Sequence, residues 1–362
     1  MVDQLTLPHP PAWLPIEHTT AANQFQQALS SNGQRERWKY TPLQKAWPDQ
    51  AQTISVDSGT AIDHQDNSLA LPCSGEWWQQ RLDKTPDAVY RLCQAARVAS
   101  IEIPPDTSQT INLQAGDQAP LLIVVGAGAQ LELNETLLST QTVQDDVWLW
   151  LEADATVIHS RNNLGTQLGH CYRFLCVNLA QNASYHLHNH SMGSQLHRQD
   201  VHIECVGSGA HAQLDMANWV GPQQHLDQHV VLSHGAADSS SNQRIHTIAE
   251  HQSKVTFNGR IHIQAQCPRV EAHLNNRNLA LSDVATINTK PELEIYTDDV
   301  ACSHGATVGM LDPDQLFYFA SRGVLLDQAR QLLARGFLRQ CIAGPLASEA
   351  TAQLLTEDVS ST

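Results

Sequence analysis

Between Ser100 and Leu311 the sequence is a succession of short strand-like runs with no convincing helix among them. Ile101-Glu102-Ile103, Ile111-Asn112-Leu113, Leu121 to Val125 and Gln130 to Leu133 come first, cut apart by Gly, Pro, Asp and Asn. Trp148 to Leu151, Ala155 to Ile158, Phe174 to Leu179, Ser184 to Leu187 and Val201 to Val206 follow. Ala212 to Leu214, Val230 to Leu232, Gln243 to Ile248, Lys254 to Phe257 and Arg260 to Ile263 continue the series. Apolar runs bounded by turn-forming residues read as strands. Such a series leaves two architectures, a set of β-sandwiches or a β-solenoid. No tight sequence repeat is visible, and periodicity alone does not choose between them.

The flanks have a different period. Phe25, Ala28 and Leu29 have helical spacing, Trp77-Trp78 reads as a domain-packing feature, and Pro86 to Ala99 reads as a helix with Val89, Leu92, Cys93 and Ala96 on one face. Beyond the strands, Asp312 is placed to cap a helix carrying Leu316 and Phe319, and Gly323 breaks it. Leu325, Leu326, Ala329, Leu332, Leu333 and Phe337 form the apolar stripe of the next helix, with Asp327, Arg330 and Arg335 outside it. Gly344-Pro345 ends that helix, and Ala347 to Leu355 makes one more. The chain therefore divides into a helical and mixed region over 1–99, a β core over 100–311 and a helical region over 312–362.

Hydrophobic residues make up 41% of the chain, enough for a sizeable core. The net charge is −16, which opposes nucleic acid as a partner, because polyanions need a basic surface. No apolar run approaches the roughly 18 residues of a membrane span. Met1-Val2-Asp3-Gln4 has neither the basic flank nor the apolar core of a secretory signal. The 8 cysteines are scattered without a CxxC pair, so reduced thiols in the cytoplasm are expected, and no stably bound cluster or other cofactor in the chain alone.

The richest stretch runs from Pro291 to Leu311. Leu293 and Ile295 alternate with Glu292, Glu294 and Tyr296, as in a half-buried strand. Thr297-Asp298-Asp299 is a turn, after which Val300, Cys302, His304, Ala306 and Val308 share one face of a second strand. Cys302 and His304 stand roughly 7 Å apart at about 3.3 Å per residue. A thiol beside an imidazole is a ligand pair for iron or zinc, but two ligands do not close a site. The plainer alternative is a packed core histidine beside a small apolar cysteine.

This stretch also resembles the SufD family, subunits of the SUF iron–sulfur cluster assembly machine. The resemblance rests on Thr289 to Tyr296, Asp298-Asp299-Val300 and Cys302 to Gly309, followed by Gln315-Leu316-Phe317-Tyr318 and Ser321-Arg322-Gly323. Glu36-Arg37-Trp38-Lys39-Tyr40-Thr41-Pro42-Leu43 resembles an N-terminal motif of the same family. Gly305 stands where the paralogous SufB family places a glutamate, although the chain is shorter than many SufD proteins. The resemblance implies a mainly β fold, a right-handed parallel β-helix with helical flanks that cover its ends. It implies a non-enzymatic scaffold, partnered by SufB through the β-helix and by the ATPase SufC through the C-terminal helices. Arg322, Leu325, Leu326, Ala329, Leu333, Arg335 and Phe337 are the docking candidates for SufC. It also implies transient iron or a nascent cluster at the SufB interface, with His304 and Cys302 as the contributing residues, and a homodimer when the chain is isolated.

Other motifs carry less. Gly126-Ala127-Gly128 lacks the third glycine of a dinucleotide fingerprint and reads as a turn. No phosphate-loop pattern is present, so ATP hydrolysis is not expected of this chain. His186, His188 and His190 alternate along one strand face, either as a metal-binding row or as a solvated face in a chain with 19 histidines. The competing function is a β-helix polysaccharide lyase, which the acidic charge and scarcity of Lys and Arg disfavour.

Overall fold

A computed structural model describes residues 81, 84, 85, 88, 89, 99–115, 120–137, 143–164 and 169–356. The expected helix around Phe25, the motif at Glu36 to Leu43, Trp77-Trp78 and most of the Pro86 to Ala99 helix lie outside the described residues. Arg81, Lys84, Ala88 and Val89 are helical.

The β core is a parallel solenoid of two sheets, eight strands each. One sheet stacks β1 (Ala99–Ile103), β3 (Leu121–Val125), β5 (Val143–Leu151), β7 (His170–Leu179), β9 (Leu196–Cys205), β11 (His225–His234), β13 (Lys254–Ile263) and β15 (Thr286–Ile295). The other stacks β2 (Ser108–Ala115), β4 (Gln130–Leu137), β6 (Thr156–Asn163), β8 (Ser184–Met192), β10 (His211–Val220), β12 (Ser240–Ala249), β14 (Val270–Ala280) and β16 (Val300–Met310). Each coil of the chain adds one strand to each sheet.

A repeat does exist, in the tight turn that leads from an odd strand to the next even one in seven of the eight coils. Asp106, Gly128, Asp154, Asn182, Gly209, Asp238 and Arg269 all take a left-handed backbone there, at intervals between 22 and 31 residues. Asp, Asn and Gly tolerate that conformation best. The turns stack by backbone bonds, such as Asp154 N–H to the Gln181 carbonyl and Asn182 N–H to the Ser208 carbonyl, both 2.9 Å. At Gly209 a Cβ would lie 2.3 Å from Asn182 Oδ1, so a side chain there would have to displace that amide. A small residue follows the turn and is buried, as at Ala129, Ala155, Ala183 and Ala210. The repeat escapes periodicity analysis because its interval drifts.

Between the sheets, Leu149, Val177, Ile203, Leu232 and Ile261 face Leu133, Leu187, Leu214 and Leu274 in one continuous apolar core. The outer face of the odd sheet carries Arg81, whose guanidinium pairs with Glu204, and Lys84 Nζ lies 3.2 Å from the same carboxylate. Three helices follow the strands, α1 (Pro313–Ser321), α2 (Leu326–Arg339) and α3 (Ala347–Thr356), and the last two pack on the even sheet. Asp312 caps α1, accepting from the Asp314 N–H at 2.9 Å. Ala334 and Leu338 of α2, with Ala350 and Leu354 of α3, pack on Ala217, Trp219, Ile248 and Leu279 of the sheet. This corrects the expectation that the C-terminal helices cover a solenoid end. They lie on a sheet face, because Trp219, Ile248 and Leu279 point outward and supply the apolar surface.

Candidate functional site

β15 and β16 form the last coil, and among the described residues each has a neighbouring strand on one side only. Pro291 marks β15 as an edge strand, since proline has no N–H to give a further neighbour. The register carries the interior columns into this coil. Leu187, Leu214, Gln243, Leu274 and His304 succeed one another strand by strand, as do Tyr185, Ala212, Ser241, Ala272 and Cys302. Cys302 and His304 therefore point along the interior, not outward. Cys302 is half-buried against the core, and His304 is exposed because no further coil covers it. Ile295, Val308 and Met310 face the same way and are 39%, 53% and 61% exposed. The solenoid thus ends in an open, partly apolar mouth with unpaired backbone edges and one imidazole. Unpaired strand edges beside exposed apolar side chains are features that contact surfaces share.

His304 is exposed and is not a packed core residue. Burial raises the pKa of the Cys302 thiol above its ordinary value, against a weaker opposing bond with the Ala272 backbone, so it is neutral at physiological pH. Two such donors do not by themselves close a metal site. Among the described residues no three His, Cys, Asp or Glu side chains converge as a metal site.

The SufC-docking candidates divide. Leu325 is 69% exposed, Leu326 and Arg322 are exposed, and the Arg322 guanidinium lies 5.3 Å from the Tyr318 ring centroid. Ala329 is fully buried against the sheet, while Leu333, Arg335 and Phe337 are half-buried. The Phe337 carbonyl accepts from His246 Nδ1 at 2.8 Å, and its ring stacks on that imidazole. Ala329 and Phe337 thus hold α2 to the solenoid. The stripe reading missed Phe317 and Tyr318, which are exposed on α1 beside Leu325. Spacing could not reveal them, because they lie off the Leu316 and Phe319 face.

The histidine row is not a solvated face. His188 and His190 are buried beneath the C-terminal region, and His190 Nδ1 lies 2.8 Å from Asn162 Oδ1. His186 meets His211 edge-on at 5.6 Å. Gly126-Ala127-Gly128 is one of the stacked turns.

Residues 108–337 match the family model described as SUF system FeS cluster assembly, SufBD core domain. The chain belongs to the SufBD family. It is 30% identical over 185 residues to the iron–sulfur cluster assembly protein SufD of Escherichia coli, covering 51% of this chain and 44% of that one. A SufBD family protein of Synechocystis is 29% identical over 246 residues, 64% of this chain and 54% of its own. SufB of Bacillus subtilis is 27% identical over 158 residues, 44% and 34% of the two chains. The chain spans about half the length of the curated relatives it matches, or less. SufBD membership sets the chain among cluster-assembly proteins and apart from polysaccharide lyases. Among the described residues no helix is long and apolar enough to cross a membrane.

Proposed function

We propose that this SufBD protein is a scaffold subunit, without ATPase activity of its own, in a cytoplasmic complex with a SufB paralogue and a SufC-type ATPase. The open mouth of the last coil is the face offered to SufB. His304 and Cys302 stand there as two donors toward a nascent cluster, which is cargo rather than a resident cofactor. The observation that carries this reading is the exposure of His304 on an interior column at an unpaired solenoid end. The exposed Phe317, Tyr318 and Leu325 surface supports docking of SufC on α1 and the start of α2.

His304→Ala tests the reading. An exposed side chain of this kind contributes within about 0.5 kcal/mol to folding, so unfolding should not change. Co-expressed with SufB and SufC, the variant should form the complex and fail to deliver a cluster to an apo-protein. Normal delivery would remove His304 from the chemistry.

A further inference from the structure

Half of the solenoid interior is polar, and its side chains form a ladder from coil to coil. At one end Arg161 Nε donates to Glu135 Oε2 at 2.7 Å and Arg173 Nε to Asp145 Oδ2 at 2.8 Å, all buried. Burial alone would raise the Glu135 pKa, but Arg161, His159 and Arg173 hold it well below the usual carboxylate range. Farther along, His197 Nδ1 lies 3.0 Å from Asn163 Nδ2 and its Nε2 3.0 Å from Gln199 Nε2. Gln228 donates to Gln199 at 2.7 Å, and Asn218 donates to Thr247 Oγ1 at 3.2 Å. On the last two coils Asn278 donates to Asn276 Oδ1 at 2.6 Å and to the Thr307 carbonyl at 3.1 Å. Thr289 Oγ1 also donates to Asn276 Oδ1, at 2.9 Å.

The ladder breaks twice, and unmatched atoms sit at both breaks. Arg173 is the strand partner of Gln199, yet its Nη1 is buried with no protein partner among the described residues. Between Asn218 on β10 and the Asn276–Asn278 pair on β14, five atoms are in the same state. They are Asn218 Oδ1, Gln243 Oε1 and Nε2, Asn276 Nδ2 and Asn278 Oδ1. Turning the amides over cures nothing, because the opposite ends of Asn218, Asn276 and Asn278 are already engaged and both ends of Gln243 are unmatched. Buried polar atoms in native proteins are nearly always matched by protein or water.

The chemistry of the second break selects its occupant. Three acceptors and two amide donors on four uncharged side chains need a neutral molecule that both donates and accepts. An anion would face three acceptors, and a cation two donors. Water fits, since it can donate to the three acceptors and accept from the two amide donors. We infer that buried water fills both breaks, making the polar half one continuous file from the Glu135 carboxylate to Thr289 and the Thr307 carbonyl on the last coil. The file ends beside the mouth: Asn276 pairs with Ala306, two residues from His304. It gives water and protons a route between the buried ion cluster and the solenoid end, whether or not His304 handles a cluster.

A high-resolution crystal structure of the whole chain tests this directly. Ordered water within hydrogen-bond distance of at least two of the five second-break atoms is expected, and its absence at all five would overturn the inference. Oxygen-17 relaxation dispersion of the protein in solution gives an independent count of long-lived waters. Gln243→Met keeps the volume and removes both unmatched ends. In a hydrated file it should lower the count and the unfolding temperature. An unchanged count with an equal or higher unfolding temperature would show a dry interior.

Discussion

Gly344, in the link between α2 and α3, gives the sharpest test of how the C-terminal helices are seated. Its φ is +87°, and a Cβ built there would lie 2.3 Å from His188 Cδ2 and 2.6 Å from Cγ. Gly344→Ala therefore carries two costs. Forcing a Cβ into a left-handed backbone costs about 1–2 kcal/mol, and overpacking a filled contact adds about 1–3 kcal/mol. Gly323, in the link between α1 and α2, separates the two, because its φ is +82° and nothing lies within 4 Å of its Cβ. Gly323→Ala should lose only the backbone part. Urea unfolding should thus place Gly344→Ala below Gly323→Ala by about 1–3 kcal/mol, with α3 newly open to limited proteolysis. In a His188→Ala background the obstructing ring atoms are gone, and most of that difference should vanish. Equal losses for the two glycines, or no recovery without His188, would refute the seating of this turn on the histidine.

The same geometry sets four further outcomes. Burial above all pushes His190 and His197 down to about 4 and about 3, so below pH 6.5 the unfolded chain takes up protons that the folded chain refuses. Their stability is complete above that pH and falls by about 1.4 kcal/mol per unit for each histidine as acid titrates toward those values; His190→Gln should flatten the slope between pH 6.5 and 4 in denaturant melts. Burial also lifts Glu250 to about 7, so its ionisation opposes folding as pH rises from 4.5, and Glu250→Gln should stabilise the protein at pH 8 but not at pH 4. Arg173→Met strips buried Glu135 and Asp145 of a shared partner and should cost about 3–5 kcal/mol by calorimetry or urea melt. The isolated chain should self-associate through its open mouth; light scattering showing only monomer at high concentration would count against it.

The apolar half of the molecule was legible from residue alternation, and the polar half was not. Of β9, only Val201 onward reads as strand, although Arg198, Gln199 and Asp200 are buried in the same strand. β14 alternates only over Val270, Ala272 and Leu274, because Asn276 and Asn278 then occupy inward positions where a leucine would have announced a core. β13 looks like two strands because Gly259 interrupts the pattern; a side chain there would strike Leu274 and Phe257. The pairing of Cys302 with His304 on one face was readable. That this face opens at a solenoid end was not, since exposure depends on whether another coil is stacked beyond it. The C-terminal stripe mixed two roles for a related reason: Ala329 and Leu325 look alike on a helical wheel, and only the position of the sheet distinguishes them.

The stacked left-handed turns give the solenoid two unlike margins. Along one, seven links pass through a left-handed residue, and each of these turns is bonded to the next. Along the other, Gln223 is the one left-handed residue among the described residues. The interval between the stacked turns grows from 22 to 31 residues chiefly because the strands lengthen, from 5 and 8 residues in the first coil to 10 and 11 in the seventh. The coils therefore widen along the solenoid while one margin stays aligned. That margin is a ruler against which successive coils can be set, and the growth in girth is taken up by strand rather than by loop.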